Sequence, residues 1–363
     1  MKAVVLKCST GSRFHFGKYA PDDDTALNDS DEIMHSDTLF AALVLTWQQC
    51  YGDAQDLVMA FENNKLRISS LFFCLQQENK YVWMLPKPIC FNLVQTDDYK
   101  AFRSIKYISK KVWETIETPA ALENNMLYLC SEKNEFVIVK DEINLKKGEI
   151  ENIKKHFTTS IKLSETLTLP KVTVRGNESE RGIYQLTVTE TPDNNRYAEK
   201  LQVHYYFLLD DTGLDEAEKT KLKTVLKLLA DNGIGAERST IGRIEDVEIV
   251  ENWDIEKKDN DASWDASTGC CVSLFSPENK EDSKQMIFFK TIMRGGRRTG
   301  KASGDERINP VYLKSVRMLC EGAIVTNAAK GSMKNVSPEK DSNIYIRYGK
   351  AFCLPVRKNW LPQ

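Results

Sequence analysis

Hydrophobic and polar residues follow two different periods along the N-terminal two thirds of the chain. Short, nearly continuous apolar runs predict buried strands at 2–8, 66–75, 81–85 and 201–209. Apolar residues three and four apart predict amphipathic helices at 34–47 and 214–230. Val and Ile alternate with Glu at 243–251, which predicts a further strand. The order strand–helix–strand–strand–helix–strand predicts an α+β domain of the ferredoxin-like type.

A long insertion interrupts this order between about 90 and 200. The stretch 112–169 lacks a clear period and is predicted to be irregular. By contrast, 171–190 alternates on both sides of a polar, glycine-containing turn, which predicts a β-hairpin with Arg175 and Arg181 near its tip. Such a hairpin is a candidate finger on a nucleic acid, and an exposed, decorated sheet edge is the alternative.

The remaining sequence predicts a second, smaller α+β domain. An acidic, irregular stretch at 252–265 is a candidate linker, and strand-like runs with one weak helix between them follow it at 270–275, 285–293, 317–325 and 343–356. The predicted boundaries are therefore 1–252 for the N-terminal domain and 253–363 for the C-terminal domain, which suits a chain of 363 residues.

Charge and cysteine usage narrow the choice of partners. The formal net charge is only −2, so any polyanion site must be a local patch of Arg and Lys. The nine cysteines are scattered and contain no C-x-x-C, so neither a structural zinc site nor a cofactor is predicted. No stretch is long and apolar enough to span a bilayer. We therefore predict a cytoplasmic protein with reduced thiols and no membrane association.

The most informative segment is a glycine-rich loop at 231–244, between the second predicted helix and the following strand. Its glycines frame donors that suit phosphate oxygens, and its key residues are Gly233, Gly235, Arg238, Ser239, Thr240, Gly242 and Arg243. The spacing and the helix-to-strand order exclude a dinucleotide fingerprint and a Walker loop. The loop is therefore predicted to bind a phosphate backbone, and a simple helix cap at Gly233 leaves its other residues unexplained.

Two further segments carry candidate ligands. His35, Ser36 and Asp37 begin the first predicted helix, where a capping role is favoured over catalysis and the helix N-terminus is a candidate phosphate site. Arg294 and Arg297 belong to a basic, glycine-containing loop that either binds phosphate or is simply solvated.

Three motifs in this order resemble one protein family. HSDTLFAAL (35–43), GIGAERSTIG (233–242) and IRYGKAFCLP (346–355) resemble the RAMP subunit of type III-A CRISPR effector (Csm) complexes that caps the 5′ end of the guide RNA. Arg294-Gly295-Gly296 and Glu321-Gly322 extend the resemblance. Ala236 and Glu237 depart from the usual Gly and Lys of the family's loop, so Glu237 is expected to face away from RNA or to pair with an Arg.

The resemblance implies a fold and a role. It implies two ferredoxin-like, RRM-like (RAMP) domains with insertions and the β-hairpin as a thumb. It implies binding of the 5′ repeat-derived handle of the crRNA, with contacts to the large polymerase/cyclase-like subunit and to a backbone RAMP subunit, and no catalysis by this chain. The residues predicted to bind RNA are Gly233, Gly235, Arg238, Ser239, Thr240, Gly242, Arg243, His35, Ser36, Arg175, Arg181, Arg294, Arg297 and Arg347.

Two other functions compete with this interpretation. A metal-independent RAMP endoribonuclease that processes repeat RNA would use His15 or His35 as a general base. A protein-interaction scaffold would use the glycines only structurally and would carry no RNA.

Overall fold

The computed structural model describes residues 1–19, 27–91, 104–116, 128–131, 135–156, 158–173, 182–238, 240–257, 261–296, 312–339 and 343–361. Predicted Ser239, Arg175, Arg181 and Arg297 lie outside these residues. The described part is a mixed α+β fold in which strands outnumber helices. No helix in it is long and apolar enough to cross a membrane.

The helices are α1 (Ser36–Tyr51), α2 (Gln55–Glu62), α3 (Lys110–Thr115), α4 (Lys147–His156), α5 (Glu216–Asn232) and α6 (Lys280–Ser283). The strands of the N-terminal part are β1 (Lys2–Lys7), β2 (Arg13–Phe14), β3 (Phe16–Gly17), β4 (Ser30–Asp31), β5 (Arg67–Ile68), β6 (Phe72–Gln77), β7 (Lys80–Pro86), β8 (Tyr107–Ser109), β9 (Tyr128–Ser131), β10 (Phe136–Val139), β11 (Thr158–Thr159), β12 (Glu165–Thr173), β13 (Gly182–Glu190), β14 (Leu201–Asp210) and β15 (Asp246–Val250). The C-terminal strands are β16 (Trp264–Cys271), β17 (Met286–Phe288), β18 (Thr291–Arg294), β19 (Val316–Leu319), β20 (Ile324–Thr326), β21 (Lys334–Asn335), β22 (Ile346–Arg347) and β23 (Cys353–Arg357).

The N-terminal core contains the predicted order β1–α1–β6–β14–α5–β15. These strands lie side by side as β15-β1-β14-β6, and each pair is antiparallel. The chain's first strand is therefore paired on both sides: Val4 pairs with Phe207 on one side and with Ile249 on the other. Helices α1 and α5 pack together. The apolar stripe of α5, including Leu222, Val225 and Leu229, is buried.

The described part of the insertion is structured, so the prediction that 112–169 is irregular is wrong for these residues. Strands β7, β8, β10, β9 and β11 continue the N-terminal sheet in that order. The four residues of β10 (Phe136–Val139) are all buried. Strands β8 to β11 have at most four residues each, which is too short for a two-residue period to be visible in the sequence, and tertiary pairing stabilises them instead.

The C-terminal sheet repeats the strand order of the N-terminal core. Strands β23, β16, β20 and β17 lie side by side in that order and are antiparallel. If the four strands of each set are numbered in chain order, they lie side by side in the order fourth, first, third and second in both sheets. The four-residue helix α6 lies between the first and second strands of this sheet in the chain. The hairpin of β21 and β22 lies between its third and fourth strands.

The two halves share one hydrophobic core. A single cluster of buried residues contains Val4 and Leu43 from the N-terminal half together with Cys270, Ile324 and Leu354 from the C-terminal half. A smaller cluster lies in the C-terminal half around Phe275 and Leu319, with Ile89 of the N-terminal half packed against it.

Candidate nucleic-acid interface

The glycine-rich loop begins where α5 ends. The helix ends at Asn232, and Gly233 donates its N–H to the carbonyl of Ala230. Gly233, Gly235 and Gly242 all have positive φ, at 71°, 86° and 83°. A side chain would be strained at each of these positions, so the backbone conformation explains why glycine is present.

The glycines also allow close backbone contacts within the protein. A Cβ at Gly242 would lie 2.2 Å from the carbonyl oxygen of Ile234, and a Cβ at Gly235 would lie 2.6 Å from that of His15. Hydrogen bonds fix this packing: Ala236 donates to the His15 carbonyl at 2.9 Å, and Gly242 donates to the Arg13 carbonyl at 2.6 Å. The glycines therefore let the loop backbone pack closely against residues 13–15 and against other residues of the loop.

The 13–15 segment joins the loop to the hairpin. His15 donates from Nδ1 to the carbonyl oxygen of Thr187 on β13, at 2.7 Å. Ile241 of the loop packs with Leu186 and Val188 of the same strand in a separate buried cluster. The sequence predicted the loop and the hairpin as independent elements. The structure brings the loop and the base of the hairpin together in one unit.

The opposite side of the loop faces solvent. Arg238, Thr240 and Arg243 are exposed, and so is Glu237. Glu237 has a φ of 57°, and its carbonyl oxygen accepts from the N–H groups of Thr240 and Ile241. Among the described residues, no carboxylate forms a salt bridge with Arg238 or Arg243. These side chains are therefore available to an external anion.

The start of α1 has a different environment. The Asp37 carboxylate is fully buried, and Arg294 donates to it from Nε at 2.9 Å and from Nη2 at 3.1 Å. Arg347 also donates to Asp37, and Arg294 reaches Thr38 Oγ1 at 2.8 Å. Burial alone would raise the pKa of Asp37, but the two guanidinium groups hold that pKa well below its usual range.

His35 lies between two carboxylates. Its Nδ1 is 2.8 Å from Glu321 Oε1, and its Nε2 is 3.4 Å from Asp31 Oδ2, the second being an ion pair without hydrogen-bond geometry. Burial disfavours the charged imidazole, but Glu321 and Asp31 outweigh it and raise the pKa of His35 to about 9. His35 is therefore protonated at neutral pH. Ser70 donates to the same Glu321 oxygen.

A network of charged and polar side chains joins the two halves of the chain, and we call it the interhalf charge network. It consists of Asp31, His35, Asp37, Ser70, Arg294, Glu321 and Arg347. Four residues predicted to bind RNA are positioned by it or next to it: His35, Ser36, Arg294 and Arg347. Ser36 accepts from the N–H of Leu274 at 3.0 Å. In the structure these side chains bind other parts of the protein, and only Arg347 among the four is partly exposed to solvent. The carboxylate partners Asp31 and Glu321 were missed by the sequence reasoning. Asp31 belongs to an acidic stretch of the sequence, 22–32, whose composition is typical of a solvated loop, and Glu321 lies far from His35 along the chain.

The geometry does not favour the endoribonuclease alternative. The His15 ring is buried, with 2% of the residue exposed, so a bound RNA could not reach it. His35 is already protonated and is also buried. Among the described residues, no group of His, Cys, Asp and Glu side chains is arranged to hold a metal ion.

Known proteins resemble the chain over nearly its whole length. The model of the CRISPR Csm4 C-terminal domain matches residues 265–356. The CRISPR system Cms protein Csm4 of Methanocaldococcus jannaschii is 28% identical over 368 residues, covering 94% of this chain and 90% of that protein.

Solved structures share the fold. A chain of the Csm3–Csm4 subcomplex in the type III-A CRISPR-Cas interference complex has a TM-score of 0.59 and 24% identity, covering 98% of this chain and 100% of that one. A chain of the Csm1–Csm4 cassette in complex with cA4 has a TM-score of 0.52 and 17% identity, covering 100% and 98%. Together with the sequence matches, these similarities confirm the family resemblance drawn from the motifs.

Proposed function

We propose that this relative of the Csm4 proteins is a RAMP subunit of the Csm type. In this proposal it is a non-catalytic crRNA-binding subunit of a type III-A CRISPR interference complex. It holds the 5′ repeat-derived handle and docks the large polymerase/cyclase-like subunit on one side and a backbone RAMP subunit on the other. The complex acts in the cytoplasm. The names of the related structures, a Csm3–Csm4 subcomplex and a Csm1–Csm4 cassette, support this choice of partners.

The observation that carries the proposal is the exposed face of the glycine-rich loop. Arg238, Thr240 and Arg243 offer guanidinium and hydroxyl donors on a chain that is otherwise near neutrality. Guanidinium groups bind phosphate oxygens through paired hydrogen bonds. The buried side of the loop is fixed by glycine packing and by hydrogen bonds to Arg13 and His15. Binding therefore orders few additional groups, which favours affinity.

The repeated strand order supports the finer description of the fold. We assign residues 1–252 and 253–363 to two ferredoxin-like domains of RNA-recognition type, the second with reduced helices. In this assignment the hairpin of β12 and β13 is the thumb, and it rises from the same unit as the loop. Ser239, Arg175, Arg181 and Arg297 remain proposed RNA contacts. For His35, Ser36, Arg294 and Arg347, we propose an indirect role in which they hold the two domains in a fixed orientation.

The direct test measures binding of a single-stranded repeat-handle RNA to the full-length chain, at several salt concentrations. We expect Arg238→Ala and Arg243→Ala each to weaken binding by about tenfold, the loss of roughly one charge-assisted hydrogen-bond pair. Each should also reduce the steepness of the salt dependence, by about 0.7 in the log–log slope for single-stranded RNA.

The matched control is Arg196→Ala. Arg196 is also exposed but belongs to the turn between β13 and β14 and not to the loop. It should leave the slope and the affinity close to those of the wild type. If both loop variants bind with the wild-type affinity and slope, the loop is not the RNA site.

Isolation of the native assembly separates this proposal from a scaffold without RNA. The complex purified from cells should show an absorbance ratio at 260 and 280 nm typical of a ribonucleoprotein. A protein-like ratio would instead support the scaffold.

A further inference from the structure

Two cysteines face each other across the C-terminal sheet. Cys271 on β16 lies directly opposite Cys353 on β23, and their Sγ atoms are 3.5 Å apart. The N–H of Cys271 donates to Ala323 on its other side, at 2.8 Å, while Val272 donates to the carbonyl of Phe352. The two cysteines therefore form a non-hydrogen-bonded pair, in which opposite Cα atoms approach to about 4.5 Å.

This geometry is close to that of a disulfide. Disulfides join Cα atoms about 4.4–6.8 Å apart, with an S–S bond of about 2.05 Å. Side-chain rotation can therefore bring the two sulfur atoms of Cys271 and Cys353 into bonding distance while the strand pairing stays in place. Gly269 leaves room for this rotation, since a Cβ there would lie 2.8 Å from the Cβ of Cys353.

The two thiols differ in their access to solvent. Cys353 is partly exposed, whereas Cys271 is fully buried. Its contact with Cys353, together with burial, raises the pKa of Cys271 well above the usual value. An oxidant in solution therefore reaches Cys353 first, and Cys271 is positioned to react with the product.

We propose that Cys271 and Cys353 are an oxidation site that closes reversibly to a disulfide between the first and last strands of the C-terminal sheet. With a peroxide as oxidant, the Cys353 sulfur attacks the O–O bond, gains an oxygen as sulfenic acid and releases water. The Cys271 sulfur then attacks the Cys353 sulfur, the S–O bond breaks, and a second water carries away the oxygen and the two remaining protons. The peroxide is reduced by two electrons, and a thiol such as glutathione reverses the change.

The bond would close a long loop of chain. The two residues are separated by 82 positions, and the enclosed segment contains Arg294, Glu321 and Arg347 of the interhalf charge network. A crosslink across a loop of this length restricts the unfolded chain and stabilises the folded one. Oxidation would therefore raise the stability of the half of the protein that matches the family model. This inference does not depend on the proposed RNA-binding function.

The test is oxidation of the full-length, folded chain with hydrogen peroxide, followed by alkylation and peptide mapping without reductant. We expect a crosslinked peptide that contains Cys271 and Cys353, loss of two hydrogen atoms from the intact mass and a higher thermal midpoint, all reversed by glutathione. Cys353→Ser should abolish all three changes. Cys270→Ser, which alters the neighbouring buried thiol, should leave them unchanged.

Other outcomes would overturn the proposal. One is oxidation of the partly exposed Cys50 or Cys320 while the Cys271 and Cys353 peptides stay reduced and separate. Another is a crosslink of Cys353 to Cys270 or Cys90 in place of Cys271. Cys353 is substituted rather than Cys271 because Cys353 is partly exposed, so its replacement by Ser perturbs the buried core less.

Discussion

Replacement of Asp37 by asparagine tests whether the interhalf charge network holds the two halves together. Asp37 lies at the start of α1, and its partners Arg294 and Arg347 come from β18 and β22 of the C-terminal half. Asparagine keeps the size of the side chain but removes the negative charge. Both guanidinium groups then remain buried without their main counter-charge.

The structure sets the expected magnitude. The Asp37 side chain is 0% exposed, Arg294 is 6% exposed and Arg347 is 11% exposed, so solvent screens the charges little. Breaking a buried ion pair by removing one partner destabilises a protein by about 3–5 kcal/mol. We expect a loss of this size in the free energy of unfolding for Asp37→Asn. Because the folded-state pKa lies below the unfolded value of 3.8, the contribution is complete at neutral pH and is lost only as pH falls through the folded-state value.

Urea unfolding at neutral pH, followed by circular dichroism and tryptophan fluorescence, measures the loss. The matched control is Asp29→Asn, whose carboxylate is 62% exposed and pairs with Lys18 at 2.8 Å. An exposed pair of this kind contributes about 0–1 kcal/mol. If Asp37→Asn loses no more stability than Asp29→Asn, the network does not stabilise the fold and our account of it is wrong.

Three further predictions follow from the same contacts. The folded-state pKa of His35 is raised from 6.5 to about 9, so its contribution to stability is complete below pH 6.5 and is lost as pH rises through about 9. His35→Gln should therefore remove the fall of the thermal midpoint with pH over this range. In the control His204→Gln, at a site where burial lowers the pKa to about 4, the fall should remain. Gly242→Ala should disrupt the loop and weaken RNA binding, because the added Cβ would collide with the Ile234 carbonyl. Gly11 has a similar φ of 79°, but nothing lies within 4 Å of an added Cβ. Gly11→Ala should therefore cost only the backbone strain of positive φ, about 1–2 kcal/mol. Ile241→Ala should lower the free energy of unfolding by about 2–4 kcal/mol and speed amide exchange in both the loop and β13. The control is Ile183→Ala, because Ile183 lies on β13 and is 81% exposed. This variant should change stability by no more than about 0.5 kcal/mol.

The sequence was sufficient for the elements whose periodicity is long. The helix predicted at 214–230 is observed as Glu216–Asn232, and the strand at 201–209 as Leu201–Asp210. Both contain enough residues for a three- to four-residue spacing or a continuous apolar run to stand out. The hairpin was also predicted correctly, although β12 begins six residues earlier, at Glu165.

Tertiary partners could not be read from the sequence. Asp31 lies in an acidic stretch that appears solvated, yet it lies against His35, and Glu321 reaches the same histidine from the other half of the chain. Arg294 and Arg347 look identical in sequence to arginines that bind phosphate. Only the fold distinguishes a guanidinium with a buried carboxylate from one that faces solvent.

In the glycine-rich loop, Gly242 and Arg238 have different roles, and the salt dependence of RNA binding can distinguish them. Gly242 shapes the loop, so Gly242→Ala reduces the fraction of molecules that are competent to bind, a factor that does not depend on salt. Arg238 contacts phosphate in our proposal, so Arg238→Ala releases fewer counterions and changes the salt dependence itself. We therefore expect parallel salt plots for Gly242→Ala and the wild type, and a shallower plot for Arg238→Ala. A shallower plot for Gly242→Ala as well would mean that the distorted loop still binds RNA but no longer places an Arg against phosphate.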